Sequence, residues 1–493
     1  MGNFADSVVH PTMRALFQNA IRHGFGYYYF WLNYHLGDPS TNLGCYSVNY
    51  KYASALALAG AIAVTVPGAW QTATDMDDFD VMGAELGAGV LTRDEVIERS
   101  RRIIRSIAAC HTGNGGTRLG PDAAGNDVGS GSSFGRQTPY FVGNAGTAGW
   151  LLNDLLPAAE RDLVAHMVTR QMSDNLFDRV EYWNGADGNS FGEDEVSDAL
   201  VLSLGAAIFP TDSRVAGWRR KLLVHWLGAF ARPLTNTSTA IVHGQTVGEL
   251  VDGFNIWNNG TLVNHSRYMP SYQAAVEWKL FTAVHWVARG AGVPRGALFN
   301  ANKIYQAFVD VRFTPGDVDP ITGTFINPGG SMYLPDIPEN QNGPASWKYY
   351  APNGIDQTGV AGYGYRELSV FVALDAGAAR MSSASPLGTY GVDGLATVKA
   401  DVWLSLHGNK LLELQRTIKA DQQGVDDRRC YRGPYGQDVA HPRDVTRAPG
   451  VFTSTLGDID TQNEAREGKC VNNIALGYLM NAIVTPTLND DAY

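Results

Sequence analysis

Residues 193–230 read EDEVSDALVLSLGAAIFPTDSRVAGWRRKLLVHWLGAF. Apolar residues recur three or four positions apart on both sides of a polar break, namely Val196, Leu200, Leu204 and Ile208 before it and Val215, Trp218, Leu222 and Trp226 after it. This spacing places the apolar side chains along one face of a helix. The break at residues 210–213 begins with a proline and continues with polar residues, which is typical of a turn between helices. The stretch therefore predicts two helices that are joined by a short turn.

The same helical spacing recurs along most of the chain. A second pair of helices is predicted on either side of Pro157, whose ring suits the first turn of a helix. Further helices are predicted over residues 51–66, 92–109, 271–288, 297–311, 364–380, 395–416 and 469–483. The alternation of apolar and polar residues that marks strands is scarce. The fold class that follows is all-α.

Helix pairs with one apolar face can bury that face by stacking into a solenoid or by closing into a ring. Three long connections, at residues 112–136, 235–270 and 314–362, are irregular and rich in Gly, Asn and Tyr, which favours a ring over a regular solenoid. Connections of this length are usually functional or disordered, and their aromatic content favours function. We therefore predict one (α/α) toroid domain over residues 1–493, with long functional loops.

Composition limits the partners of the chain. It has 493 residues, of which 44% are apolar, and a net charge of −11 from 38 Lys+Arg and 49 Asp+Glu. An acidic chain without a long basic run lacks the positive surface that nucleic-acid binding requires. No segment reaches the roughly 18 uninterrupted apolar residues that a membrane-spanning helix needs. Neither nucleic acid nor a membrane is expected as a partner.

The four cysteines do not have the close spacing of a zinc site. They are either buried thiols or two disulfides, and a bridge from Cys430 to Cys470 would staple residues 421–470 into a loop. The first residues contain no signal peptide, as in a mature secreted chain. Three N-glycosylation acceptors fit a secretory route, at Asn236, Asn259 and Asn264. We expect a secreted protein.

The densest set of chemically active side chains lies in residues 253–272, GFNIWNNGTLVNHSRYMPSY, ahead of a strong helical pattern. An amide, an imidazole, a cation and two phenols are supplied by Asn264, His265, Arg267, Tyr268 and Tyr272. Such groups can neutralise a developing negative charge and transfer protons. Taken singly, each is also typical of a turn, a helix cap or a core position.

An Asn-His pair that is closely followed by Tyr, ahead of a helix in a mostly helical chain, resembles the toroid polysaccharide lyases of the alginate, chondroitin/hyaluronan and heparinase types. Residues 193–230 also resemble the helix pairs of heparinase-like bacterial toroid proteins, and the helical resemblance spans residues 140–380. It implies cleavage of a uronic-acid polysaccharide by β-elimination. In that reaction the C5 proton leaves, negative charge builds on the carboxylate, and the C4–O bond breaks.

The resemblance also implies a role for each group. His265 would be the base, and Tyr272 or Tyr268 would protonate the leaving oxygen. The group that neutralises the carboxylate would be one of Asn264, Arg267 and Asn144. Asn144 is included among these candidates because several related families carry the neutralising Asn on an earlier helix. The C-terminal β-sandwich of the larger lyases is not predicted, which places the chain with the compact helical members.

A second cluster, WNGADGNSFGEDE at residues 183–195, ends in three acids, Glu193, Asp194 and Glu195. Acids in the first turn of a helix are favoured by the helix dipole, so they could simply stabilise the helix. Alternatively, one of them is the acid or base of an inverting glycoside hydrolase, which needs two carboxylates roughly 6.5–9.5 Å apart. Asp252 or Asp356 would be the partner.

Aromatic residues in the loops could stack on sugar rings. The substrate-binding residues that we predict are these aromatic side chains and their polar neighbours: Trp183, Trp257, Trp347, Tyr350, Tyr363, Tyr365, Asn258, Asn259 and Glu193. A carbohydrate-binding toroid without catalysis would keep them too. No phosphate-binding loop, HExxH zinc motif or GxSxG elbow is present, so no cofactor and no metal are expected.

Overall fold

The structure of the protein is a computed structural model. It describes residues 2–23, 25, 47–74, 92–117, 119–121, 138–172, 180–186, 188–264, 267–268, 270–273, 275–311, 333, 365–381, 400–420 and 470–489.

The described residues are predominantly helical, which confirms the predicted class. In chain order the helices are α1 (Pro11–His23), α2 (Ser47–Thr65), α3 (Ala69–Thr74), α4 (Arg93–Cys110), α5 (Thr138–Leu151), α6 (Ala158–Met172), α7 (Gly192–Ile208), α8 (Val215–Gly228), α9 (Val247–Leu250), α10 (Pro270–Gln273), α11 (Val276–Ala288), α12 (Arg295–Leu298), α13 (Ala301–Asp310), α14 (Tyr365–Met381), α15 (Ala400–Ala420) and α16 (470–481). Within the described ranges, the strands are two short antiparallel pairs, β1 (Ile241–Val242) with β2 (Gln245–Thr246), and β3 (Val263–Asn264) with β4 (Arg267–Tyr268).

The helix pair predicted from residues 193–230 is present as α7 and α8, which pack against each other. The turn between them is fixed by one carboxylate. Asp212 accepts a hydrogen bond from the backbone N–H of Arg214 at 2.8 Å and forms an ion pair with its guanidinium. These hydrogen bonds from Arg214 lower the pKa of Asp212 to about 2. The turn is therefore an aspartate-centred loop directly after Pro210.

Two predicted helices are interrupted. Residues 271–288 divide into α10 and α11, and residues 297–311 divide into α12 and α13. At the second interruption Asn300 has a φ of 56°, in the left-handed region, which ends helical geometry. Its side-chain amide donates to the carbonyl of Phe230 at 2.7 Å. That partner is 70 residues away, so apolar spacing carries no sign of the break.

The chain divides into two compact units. Unit 1 contains Met1–Leu176 and Asn409–Ala482, and unit 2 contains Phe177–Gly408 and Ile483–Tyr493. Each has its own buried core. The predicted single toroid domain stays a prediction.

Unit 1 is built around α2. Residues 53–63 of this helix are buried, as the sequence predicts, and α2 packs against α4 and α5. A buried carboxylate ties α6 to α4, because Glu160 accepts two hydrogen bonds from the Arg101 guanidinium at 3.1 Å each and pairs with Arg105 at 3.4 Å. Pairing through both carboxylate oxygens fixes orientation as well as distance.

The start of α4 is stabilised by a capping box. The hydroxyl of Thr92 accepts from the backbone N–H of Glu95, whose carboxylate in turn accepts from the backbone N–H of Thr92. This backbone hydrogen bond from Thr92 lowers the pKa of Glu95.

Replacing Thr92 by Ala should reduce the free energy of unfolding by about 1 kcal/mol, because one N–H of the first turn loses its partner. Urea unfolding followed by circular dichroism measures the change. The variant Thr92→Ser keeps the hydroxyl and serves as the matched control. Equal stability of the Ala and Ser variants would contradict the role of the cap.

Unit 2 is built around α7, which packs against α8 and α11, while α11 packs against α14. Buried hydrogen bonds connect these helices. The hydroxyl of Ser203 on α7 donates to the carbonyl of Thr282 at 2.8 Å and accepts from the indole N–H of Trp286 at 3.0 Å. The indole N–H of Trp226 on α8 donates to the hydroxyl of Thr282 at 2.9 Å. The hydroxyls of Ser203 and Thr282 and the indoles of Trp226 and Trp286 are thus hydrogen-bonded to one another or to backbone where these helices pack.

The long connections are described in part. Residues 235–264 carry a short 3-10 helix (Thr235–Thr237), β1, β2, α9 and β3, so this predicted loop contains several small elements. A 3-10 helix also opens the connection at residues 112–136. Of residues 314–362, the structure describes Tyr333.

Residues 421–469, which include Cys430, lie outside the described ranges, as does Cys45. Cys110 and Cys470 are buried. The stapled loop stays a prediction. Among the helices that the structure describes, none is both long and apolar enough to cross a membrane.

Candidate functional site

Two loops of unit 2 meet beside the N-terminal end of α7. The Trp183 loop (residues 180–191) precedes this helix, and the Asn264 loop (residues 251–264) ends in β3. The backbone N–H of Trp183 donates to the carbonyl of Phe254 at 2.8 Å, and the N–H of Ser190 donates to the first residue of β3 at 2.9 Å. The Trp183 loop is therefore held against the Asn264 loop at both ends.

The Trp183 loop folds back on itself. Asn184 and Asn189 exchange two backbone hydrogen bonds, of 2.9 and 3.3 Å. Gly188 lies between them with a φ of 63°, a conformation that glycine adopts without strain. Asn184 is exposed where the turn closes, and the next two residues, Gly185 and Ala186, are exposed as well.

Asn255 joins the two loops to α8. Its side-chain amide donates to the carbonyls of Glu181 and Gly228 at 3.0 and 3.1 Å, and its side-chain oxygen accepts from the N–H of Phe191 at 3.2 Å. The hydroxyl of Ser190 donates to the Asn255 carbonyl at 2.7 Å. One buried amide thus fixes both loops relative to α7 and α8.

Tyr182 packs closely on the Asn264 loop. A Cβ at Gly253 would lie 2.6 Å from the Tyr182 ring, so glycine permits this approach. The phenol oxygen accepts from the N–H of Asp252 at 3.2 Å. Burial raises the pKa of Tyr182 to about 12, and the nearby charges of Glu195 and Asp252 also raise it. The phenol is therefore protonated at neutral pH.

Three aromatic rings come together where the loops meet. The rings of Trp183 and Trp257 are 5.7 Å apart, and Phe254 lies 6.5 Å from the first and 5.4 Å from the second. Trp257 is 40% exposed, and the adjacent Asn258 is also exposed. We call Trp183, Phe254 and Trp257 the aromatic platform. Partly exposed rings with amides beside them can stack on the apolar face of a sugar and hydrogen-bond to its hydroxyls.

The predicted Asn-His segment lies at the end of the Asn264 loop. Asn264 is buried and donates its side-chain amide to the carbonyl of Ser190 at 3.0 Å. In the β3–β4 pair Asn264 is opposite Arg267. The structure describes the backbone of Arg267 and Tyr268, while His265 lies outside the described residues. Two of the predicted catalytic positions are therefore neighbours across a strand pair.

Tyr272 and the other predicted residues occupy varied positions. Tyr272 is half-buried in α10, and Tyr365 begins α14. Asn144 is buried in unit 1, where its amide donates to Asn472 at 2.9 Å. It therefore lies in a different unit from Asn264. Predicted residues outside the described ranges, besides His265, are Trp347, Tyr350, Tyr363 and the possible partner carboxylate Asp356.

The three acids at the start of α7 have different surroundings. Glu193 and Asp194 are half-buried. Glu195 is 3% exposed, accepts from the N–H of Glu181 at 2.8 Å and is hydrogen-bonded to Nδ1 of His225. Its contacts are therefore with the interior of unit 2.

Asp198 also lies near this pair, on α7. Atoms of Glu195, Asp198 and His225 that can bind a metal lie within 4.8 Å of one another. The sequence analysis missed this cluster, since it considered Glu195 together with the neighbouring acids Glu193 and Asp194 and singled out neither Asp198 nor His225. A usable signal was the spacing of Glu195 and Asp198, three residues apart on one helix face.

A second buried polar cluster in unit 2 was also missed. Asp375 of α14 accepts hydrogen bonds from the phenols of Tyr305 and Tyr333 at 2.7 and 2.9 Å and from Nδ1 of His407 at 2.7 Å. All four side chains are buried. The cluster is a hydrogen-bonded centre of the core, and its members have no regular spacing in the sequence.

Comparisons with known proteins found no matching family model, no similar curated protein and no similar solved structure.

Proposed function

We propose that this chain is a secreted lyase that cleaves a uronic-acid polysaccharide by β-elimination, on helices arranged as an (α/α) toroid. The observation that carries the proposal is the aromatic platform. Its members come from two loops, and the loop that supplies Trp257 leads into Asn264 and His265. A surface suited to a sugar ring is thus connected directly to the segment with proton-transfer groups.

In the proposed reaction Asn264 neutralises the substrate carboxylate. Its amide nitrogen has two hydrogens, and one of them is directed to the Ser190 carbonyl. The other is assigned to the substrate. A donor fixed before the reaction stabilises the charge that develops on the carboxylate without having to reorganise. Asn264 is preferred over Asn144 because it lies on the same segment as the proposed base.

His265 is the proposed base, and takes the C5 proton. Tyr272 or Tyr268 then protonates the oxygen that leaves C4. Arg267, whose backbone is opposite Asn264 in the strand pair, is the further candidate for neutralising the carboxylate. Secretion is supported by exposure of two glycosylation acceptors, Asn236 and Asn259.

A second candidate function is inverting hydrolysis of a glycan by Glu193 or Asp194. The half-buried position of both acids, in the first turn of α7, favours it. Glu195 is a weaker choice, because its carboxylate is engaged by His225 and Glu181. Glycan binding without catalysis requires the platform alone.

Incubation with a panel of acidic and neutral polysaccharides distinguishes these functions. A lyase produces the ultraviolet absorbance of an unsaturated uronate, a hydrolase produces reducing ends without it, and a binding protein produces neither. We expect the absorbance to rise, and His265→Ala to slow the rise at least about 100-fold, as loss of a general base does. Absence of the absorbance on every substrate, or its persistence at full rate in His265→Ala, would reject the lyase.

The platform is tested separately. Trp257→Ala should raise the KM or Kd for the active polysaccharide roughly 3- to 10-fold, because aromatic stacking contributes about 0.5–1.5 kcal/mol. Ile241→Ala is the matched control, since Ile241 is an exposed apolar residue of the same unit outside the two loops. An equal effect of both substitutions would show that Trp257 has no special part in binding.

A further inference from the structure

We propose that Glu195, Asp198 and His225 form a binding site for a divalent transition-metal ion of the zinc class. The two acids lie one turn apart on α7, and the imidazole is supplied by the adjacent α8. Each residue offers a ligand atom, and the three atoms lie within 4.8 Å of one another. The inference does not depend on the proposed lyase activity.

Charge favours a cation at this position. Glu195 and His225 are buried, and Asp198 is half-buried. Two carboxylates close together in a poorly solvated place create a negative potential that attracts a cation. A divalent ion bound between them compensates both charges.

Distances are compatible with coordination. Three atoms that all lie within 4.8 Å of one another share a point no more than about 2.8 Å from each of them. Zinc–oxygen and zinc–nitrogen bonds are about 2.0–2.2 Å long, so shifts of roughly 0.6 Å complete the site. Side-chain rotations supply shifts of this size.

The ligand set selects the type of metal. Imidazole with carboxylates suits zinc and its transition-metal neighbours, whereas calcium and magnesium prefer oxygen ligands alone. Three protein ligands leave a further coordination position for water or another molecule. Upon binding, bonds to the metal would replace the hydrogen bond between Nδ1 of His225 and Oε2 of Glu195.

The surroundings already orient one ligand. The second carboxylate oxygen of Glu195 accepts from the backbone N–H of Glu181 at 2.8 Å. Hydrogen bonds of this kind fix the orientation of metal ligands and contribute to affinity. Glu181 belongs to the Trp183 loop, so a bound metal would also help to hold that loop in place.

Titration of chelator-treated protein with zinc, manganese and calcium chloride, by calorimetry and by elemental analysis after dialysis, tests the site. We expect one zinc per chain, and weaker binding of calcium than of zinc. Asp198→Asn should weaken zinc binding at least about 100-fold, because it removes a ligand rather than a supporting hydrogen bond. Asp198 is half-buried, so this variant should fold, which circular dichroism verifies.

The matched control is Glu193→Gln, which removes a nearby acid of the same helix that is not in the proposed site. It should bind zinc as the unmodified chain does. A second variant that should weaken zinc binding is His225→Asn, which removes the nitrogen ligand. Binding of no zinc, tighter binding of calcium, or equal zinc affinity in Asp198→Asn and the unmodified chain would overturn the proposal. A polysaccharide assay is not needed, so failure of the lyase proposal leaves this result interpretable.

Discussion

Lowering the pH from 7 to 4 should destabilise unit 2 by about 3 kcal/mol through His285 alone. His285 is fully buried in α11, and burial lowers its pKa to about 3. Its Nδ1 is 3.1 Å from the hydroxyl of Ser203. Because that hydroxyl donates its own hydrogen to the Thr282 carbonyl, the imidazole must donate and Ser203 accept. The native contact therefore requires the Nδ1–H form, which is satisfied without a second proton.

The direction of the pH effect follows from the two pKa values of His285. In the unfolded chain its pKa is about 6.5, so it gains a proton as the pH falls below that value. In the folded protein it stays neutral down to a pH of about 3. The unfolded state thus binds more protons throughout this window, and stability falls by about 1.4 kcal/mol for each pH unit below 6.5. Stability from this group is fully present above pH 6.5.

Urea unfolding at pH 7, 6, 5 and 4 measures the effect. His285→Asn retains a side-chain N–H for Ser203 and does not titrate, so its stability should fall about 3 kcal/mol less than that of the unmodified protein. His111 in unit 1 adds a similar acid sensitivity, because burial lowers its pKa to about 4, but it is present in both proteins and cancels in the comparison. Parallel stability profiles for the two proteins would contradict the prediction for His285.

The sequence predicts those parts of the fold that depend on local spacing. The apolar positions of residues 193–230 and Pro210 are sufficient to predict α7 and α8. The break at Asn300 was not predicted. It is accompanied by a hydrogen bond to the carbonyl of Phe230, 70 residues away, which the local sequence pattern does not report. Local spacing reports which face of a helix is apolar, and does not report contacts between distant segments.

In the candidate site, too, the type of residue was predictable from the sequence, whereas the contacts between distant segments were not. Trp183 and Trp257 were each predicted to bind substrate, but their adjacency depends on Asn255, a residue that the sequence did not single out. Its amide is significant only because the carbonyls of Glu181 and Gly228 lie within reach. Residue type could predict the chemistry of the platform, whereas its assembly depends on hydrogen bonds between distant parts of the chain.

Replacing Asp375 by Ala should reduce the free energy of unfolding by at least about 3 kcal/mol, because it leaves three buried groups without a hydrogen-bond partner at a cost of roughly 1–3 kcal/mol each. Asp375 is fully buried and accepts from Tyr305, Tyr333 and His407, so the substitution leaves two phenols and an imidazole N–H without this acceptor. The aromatic rings around the site exclude the water that could replace the carboxylate.

A series of milder substitutions distinguishes the effect of losing these hydrogen bonds from the effect of losing packing alone. Tyr305→Phe keeps the ring and removes one donor, so it should cost about 1 kcal/mol. Asp375→Asn keeps the shape and one acceptor oxygen, and should fall between Tyr305→Phe and Asp375→Ala. Asp401→Ala removes an exposed acid from α15, the helix that carries His407, and should change stability by less than about 1 kcal/mol. Urea unfolding at pH 7 gives all four values. If Asp375→Ala proved no more destabilising than Asp401→Ala, the carboxylate would not be the centre on which these three side chains depend.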